Sequence, residues 1–499
     1  MLKNLIRERR GIIGFGGLCC VLAILTTPVA KCQDANGASD QSQGNQPSQP
    51  IPAYHSPLAS SSQDQGDVND STTMQRDTRP LTGAQYISMG DLTNQHSYWQ
   101  PQVDVAGTAD SNPTESPTNA NWGGWGSFLG GVDIHQTSGT SQLMLSYTGG
   151  GMFSNESDVP SGSVQELGLS DHITFRRSAV SFFDQLYYLP EAGLGFGGVG
   201  GLPLTGGGST GLSSGFSNAQ SILSGYGQNL ENSSVFQFEG FLTPRSSITM
   251  DAGYSLLHFF GNNLLNSGDL TFQGGYNYQM SEHNTLALSY AFSQISYSNG
   301  PSTLIDTHSL QATFGRRVTG RLALQIGAGP EFAIYDEGAN PSGGTGGGSG
   351  VSSGSSTHAY WSVNSALNYQ FQRTALGLDY SHGVGAGSGV LAGSIVDMVT
   401  GSLTHRMSRT FSSGLTGGYA RNSALPIAGI QFSGRNYDYW FAGASLARPL
   451  SETVALTLSY QMQYQTSSSS FCIGTSCGLS VVRHLISVGV SWHERPLLF

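Results

Sequence analysis

Asp306 and His308 stand two apart in LIDTHSLQ, a stretch that reads as extended, so their side chains share one face. A carboxylate so placed can orient an imidazole as a general base. No opposing pair of carboxylates is identifiable to complete such a site, and the two residues read as polarity at a strand's rim. Cys472 and Cys477 enclose four residues in a Ser/Gly-rich stretch, which suits a disulfide in an exported chain. Two Cys without nearby His cannot complete a metal site. The Gly-rich stretches 193–212 and 342–350 lack the Lys-Ser/Thr of a phosphate-binding loop. DQGDVND, residues 64–70, lacks the later Gly and Glu of a calcium loop. The sequence therefore suggests no catalytic residue, no metal and no cofactor.

The elements that would position these groups follow from composition. The chain has 499 residues, of which 11% are charged, against roughly 25% in ordinary soluble domains. Gly is abundant, at 69 residues, and Lys+Arg number 21 against Asp+Glu 32. That balance argues against a nucleic-acid partner. Residues 1–30 run from a basic start (Lys3, Arg7, Arg9, Arg10) through an apolar run to Ala30, the order of a secretory signal peptide. Residues 31–125 are rich in Gln, Ser, Asn and Pro and read as a disordered periplasmic arm.

Residues 126–499 change character to a period of two. In DLTFQGGYNYQM, Leu270, Phe272, Tyr276, Tyr278 and Met280 share one parity, while Thr271, Gln273, Asn277 and Gln279 share the other. TVALTLSYQMQYQ repeats the split. Alternation alone also fits a soluble sandwich. The uncharged wet face, aromatic residues toward segment ends and segments of roughly 10 to 14 residues favour a membrane barrel. Short turns, as at Arg176/Arg177, Pro244/Arg245 and Ser451/Glu452, alternate with long loops at about 189–233, 336–356, 386–393, 424–434 and 466–483. The expected fold is all-β: a transmembrane antiparallel up-and-down barrel of about 16 strands, range 14 to 18, starting near Gln142. The stretch 126–136 could extend the first strand or add one. Segments 394–407 and 436–448 change parity midway, which calls for bulges.

In these features, and in the terminal Phe499, the chain resembles the bacterial outer-membrane β-barrel proteins, porin-like in size. The resemblance implies an outer-membrane location, lipid around the barrel, and the barrel-assembly machinery as a partner that reads the terminal aromatic. Pro496 and a parity mismatch with Ile486 to Trp492 depart from that last pattern. SYSNG, 296–300, resembles part of the outer-membrane phospholipase motif, but Ser296 stands where the base of Ser298 would be. The Asp306–His308 pair resembles half of the omptin protease site without the other half. Neither activity is expected.

A barrel of that size encloses an aqueous channel unless a loop fills it. The function expected is passive diffusion of small polar solutes; the alternative is a non-transporting surface or adhesive barrel, or a subunit of an export assembly. Expected lumen-lining residues are Gln237, Thr271, Gln273, Asn277, Gln279 and Gln325. To these the wet parity adds Asn364, Asn368, Gln370, Gln461 and Gln463. All are neutral, which favours uncharged solutes such as sugars, with 189–233 as the loop that narrows the lumen. Ten of the fourteen basic residues after Trp122 lie at short turns, as snorkelling side chains or as a positive ring at the mouth. In the hairpin VQELGLSDHITFRRSAVSFFDQLYYLPE, a turn over 176–179 sets Asp171 opposite Asp184 on the outward face, the basis for expecting a contact between copies in a homotrimer.

Overall fold

The computed structural model describes residues 97–114, 120–154, 161–191, 226–260, 264–298, 304–336, 355–387, 389–408, 410–425, 436–468, 472–473, 476–477 and 480–499. The expected signal peptide, the arm up to residue 96 and residues 192–225 of the longest loop lie outside these. The strands in chain order are β1 (Tyr98–Asp110), β2 (Gly123–Ser138), β3 (Ser141–Ser154), β4 (Gly162–Thr174), β5 (Ser178–Glu191), β6 (Tyr226–Thr243) and β7 (Ser246–Phe259). Next come β8 (Asn266–Gln279), β9 (Asn284–Ser298), β10 (Leu304–Thr319), β11 (Leu322–Asp336), β12 (Ser356–Gln370), β13 (Thr374–Gly385) and β14 (Ser394–Arg406). The last are β15 (Ser412–Ala424), β16 (Asn436–Pro449), β17 (Val454–Ser467), β18 (Cys472–Ile473), β19 (Ser476–Cys477), β20 (Ser480–His493) and β21 (Leu497–Leu498).

Each long strand pairs antiparallel with the next, and β1 pairs with both β2 and β20. The sheet is thus closed, and no long strand leaves an unpaired edge. The barrel has eighteen strands, β1 to β17 and β20, where the sequence suggested about sixteen. One addition is β2, from the stretch left open above. The other is β1, which comes out of the presumed arm, so the 31–125 boundary fails at its C-terminal end. The error has a physical cause. The inward parity of β1 carries Gln100, Gln102, Asp104, Thr108 and Asp110, and its outward parity only Trp99, Pro101, Val103, Val105, Gly107 and Ala109. In isolation that composition resembles a solvated tail; pairing to two neighbours makes it a wall.

Short connections follow β2, β4, β6, β8, β10, β12, β14 and β16, and both the start of β1 and the end of β20 lie at that same end. After β20 the chain turns at Pro496, and β21 pairs Leu498 with Tyr98 and Leu497 with Trp99. Phe499 N–H then donates to the Ser97 carbonyl at 3.2 Å, tying the exposed terminal aromatic to the start of β1. The bulges expected in 394–407 and 436–448 are absent: β14 and β16 keep an unbroken register with both neighbours. What changes is the inward face itself, which becomes aromatic at Tyr437, Tyr439 and Phe441 because these rings pack inside the barrel.

The closing seam holds a buried ion pair. Arg483 Nε on β20 donates to Asp110 Oδ2 at 2.6 Å, and the two side chains are 1% and 0% exposed. Asp110 Oδ1 also accepts from Asn112 N–H at 2.9 Å, and Asn112 Nδ2 donates to the Val482 carbonyl at 3.2 Å. Arg483→Ala leaves a buried carboxylate without its counter-charge, at a cost of about 3–5 kcal/mol. The expected result is a lower unfolding temperature in heat-modifiable gel migration, largely recovered in the double variant Asp110→Leu, Arg483→Met. An Arg483→Ala barrel as heat-resistant as the parent would show that the pair does not hold the seam.

Candidate functional site

Register propagates one parity rule around the barrel. The outward parity carries Val105, Phe128, Phe153, Phe236, Met250, Phe272, Leu288 and Val488, all exposed. The inward parity carries buried polar groups such as Gln102, Thr148, Asn277, Ser289, Thr313 and Ser487. Toward the short turns the outer face ends in Tyr278, Phe371 and Trp492. Toward the long loops it reaches Trp361 and Trp440, then a row of ionisable groups set opposite one another across β13 to β16: His382, Asp397, Arg421 and Asp438. His382 Nδ1 lies 2.5 Å from Asp397 Oδ1, and the Tyr419 hydroxyl donates to Asp438 Oδ1 at 2.5 Å. Asp397 stands nine residues above Arg406, roughly 22 Å along the axis at the usual strand tilt, close to the apolar height of outer-membrane barrels. A closed sheet with an oily outside and a hydrogen-bonding inside is the form in which strands cross a bilayer. The protein is a membrane-spanning β-barrel.

No family model matches the chain, and no curated protein matches it. Among solved structures, the barrel is similar to Acinetobacter baumannii OccAB3 at 8% identity, with 80% of this chain and 99% of that chain covered and a TM-score of 0.38. It is similar to Pseudomonas aeruginosa OccK2 (OpdF) in complex with glucuronate at 10% identity, covering 81% and 98%, with a TM-score of 0.39. The P. aeruginosa outer membrane protein OpdK gives 12% identity, 79% and 99% coverage, and a TM-score of 0.35.

The expected lining residues all take the inward parity. Gln237 lies on β6; Thr271, Gln273, Asn277 and Gln279 on β8; Gln325 on β11; Asn364, Asn368 and Gln370 on β12; Gln461 and Gln463 on β17. Asn364 Nδ2 donates to Gln311 Oε1 at 3.0 Å across the small Gly327. The inner wall is not neutral, however. On β2 to β8 the inward parity also carries Asp133, Glu166, Glu231, Glu239, Asp251 and Asp269. Among the described residues no arginine faces in from those strands, and the chain has no lysine after Lys31. The same parity that marks the Gln and Asn residues marks these carboxylates, so the signal was present in the sequence. Few of them fall in the segments with the cleanest alternation.

The basic residues sit elsewhere. Arg176, Arg177, Arg245, Arg321 and Arg373 occupy short connections, while Arg321 and Arg448 lie over the Phe371 and Phe411 rings at 5.0 and 5.2 Å. Those two stack at the foot of the outer wall, where snorkelling side chains belong. Asp306 and His308 do share a face, but it is the outward one. Asp306 Oδ1 accepts from Gln294 at 2.9 Å, and His308 Nδ1 meets the Tyr290 hydroxyl at 2.8 Å.

Asp171 and Asp184 also face outward, yet they are not opposite each other. Asp171 pairs with Phe182 and Asp184 with Leu169, because the turn spans 175–178, the expected length but one residue nearer the N-terminus. Asp171 Oδ1 accepts from Ser141 at 3.0 Å, and Asp184 Oδ1 accepts from Asn232 at 3.1 Å and from Ser234. Hydroxyls and an amide of adjacent strands supply the hydrogen bonds that the expected apposition sought from a second copy. In the β18–β19 hairpin, Cys472 is the backbone partner of Cys477. Their side chains lie outside what the structure describes.

The connection 386–393, between β13 and β14, enters the barrel. Gly389 accepts a hydrogen bond from Leu265 N–H at 2.7 Å and packs against the Phe259 ring at the end of β7. The Tyr297 hydroxyl donates to the Ala386 carbonyl at 3.1 Å. Ala392 packs with Ile295, Ile305, Ala333, Tyr335 and Leu425, and Leu391 with Tyr437 of β16. In an eighteen-strand ring β7 and β16 are half a circumference apart, so this short segment spans the interior near the loop end. Gly389 and Gly393 take positive φ, at 76° and 85°, and a Cβ on Gly393 would meet Ile305 and Leu425 at 2.6 and 2.7 Å. Only glycine fits that backbone shape with walls so close. The longer 189–233 loop, expected in this role, lies mostly outside the described residues.

Proposed function

We propose that the chain is a bacterial outer-membrane channel through which small polar solutes diffuse, narrowed at its loop end by 386–393. The observation that carries this reading is a polar inner face enclosed by eighteen strands, a number at which barrels leave an aqueous path. Refolded protein in a planar bilayer is expected to give discrete, ohmic conductance steps. A silent bilayer containing correctly migrating barrel would remove the channel reading.

The apolar packing of 386–393 against opposite walls favours a second reading, in which the barrel is occluded and serves as a surface or assembly scaffold. The same recording separates the two. Two further expectations belong to the channel reading. Cys472 and Cys477 form a disulfide at the loop end, so thiol labelling under denaturing, non-reducing conditions leaves both unmodified. The polar patch around Asp171 and Asp184 on an otherwise apolar face is where a second copy of the chain packs; a monomer by cross-linking after mild extraction would exclude it.

A further inference from the structure

The inner wall of β6 to β8 has an unusual defect. Asp251 on β7 is 5% exposed, and neither of its carboxylate oxygens has a hydrogen-bond partner among the described residues. Its register partners are Gln237 and Gln273, and Glu239 stands diagonal to it, opposite Thr249. The Thr249 hydroxyl, also buried, likewise has no hydrogen-bond partner among the described residues. Buried polar atoms are almost always satisfied, so orphaned acceptors clustered on one wall call for a donor. Two carboxylates close together with no arginine on β2 to β8 call for a positive one. Further along the same wall, Tyr187 separates Glu166 from Glu231 in a direct cross-strand row, and Asp133 and Asp269 stand on the adjoining row.

We propose that Asp251 and Glu239 form a binding site for a small organic cation bearing several N–H donors, a protonated amine or a guanidinium, and that the acidic wall of β2 to β8 makes the pore prefer cations. This rests on the channel reading for its transport consequence, while binding itself does not. A guanidinium presents donors in a planar fork that both oxygens of one carboxylate can accept, and an ammonium presents three donors to carboxylate and hydroxyl together. A wall of one sign also concentrates the opposite ion in the lumen.

The test uses the full refolded protein and L-arginine, with L-glutamate as the control. In a potassium chloride gradient the reversal potential is expected to give a potassium-to-chloride permeability ratio of about 10, the low end of electrostatic focusing. Millimolar arginine should reduce the current, glutamate should not, and Asp251→Asn with Glu239→Gln should abolish the block and bring the ratio toward one. Calorimetric binding of arginine to the detergent-folded barrel, compared with the same variant, is read alongside. A conducting channel that favours chloride, or arginine binding unchanged in the variant, overturns the proposal. Silent bilayers with arginine binding lost only in the variant keep the site and overturn the channel reading. No arginine binding to folded wild type overturns the site. Heat-modifiable migration identifies folded protein in each case, and Asp251→Glu, which keeps the charge, is expected to retain binding.

Discussion

Truncation from the N-terminus through Asp110 abolishes the closed barrel, whereas truncation through residue 96 leaves it intact. The difference is a single strand. β1 pairs with β2 over the whole of Tyr98–Asp110 and with β20 from Gln102 to Asp110, so its loss leaves two strand edges inside the bilayer region. Each backbone group left unpaired in hydrocarbon costs several kcal/mol, and the ring cannot close across the gap without shifting all its neighbours. The truncation also removes Asp110 and strands Arg483, which has 1% exposure in the intact protein. The readout is heat-modifiable migration and protease resistance of refolded protein. Full resistance after removal of Tyr98–Asp110 would mean that seventeen strands close unaided and that β1 is not part of the wall.

Replacing residues 387–392 with a shorter connection raises single-channel conductance several-fold. In the intact protein this segment links the end of β7 to β16 through Gly389 and Leu391, and its apolar side chains pack with Ile295, Ile305 and Tyr335 inside the barrel near the loop end. Removing it exchanges packed apolar groups for water in the lumen. Stability should fall as well, since the cluster loses buried contacts, but the wall hydrogen bonds of β13 to β14 remain. A milder form is Gly389→Val. Its backbone sits at φ 76°, which a β-branched residue strains to reach, and its Cβ would collide with the Phe259 ring. Conductance unchanged by both substitutions would show that the narrowest point lies elsewhere along the pore.

Much of this protein was legible without coordinates. A period of two over segment after segment made these segments strands, and short turns alternating with long loops made them antiparallel; that period also suits a soluble sandwich, and the uncharged wet face opposite an oily one is what put the outer face in lipid. The inward parity of Gln237, Asn277, Asn364 and Gln461 follows from the same rule. Three things did not follow. Whether Tyr98–Asp110 is a tail or a wall depends on partners nearly 400 residues away in β20, and its own sparse outward apolar residues do not reveal them. The register of the β4–β5 hairpin depends on where the chain turns, and a one-residue displacement of the turn to 175–178 moves Asp171 from opposite Asp184 to opposite Phe182 while leaving every side chain on its face. Most of all, the path of 386–393 and the inward ring of Tyr437 that Leu391 meets are complementary to each other only in three dimensions. Strand periodicity reports which side of a wall a residue takes; what meets it across the lumen is decided by closure of the ring, which brings the ends of β7 and β16 to opposite sides of one short glycine-rich segment.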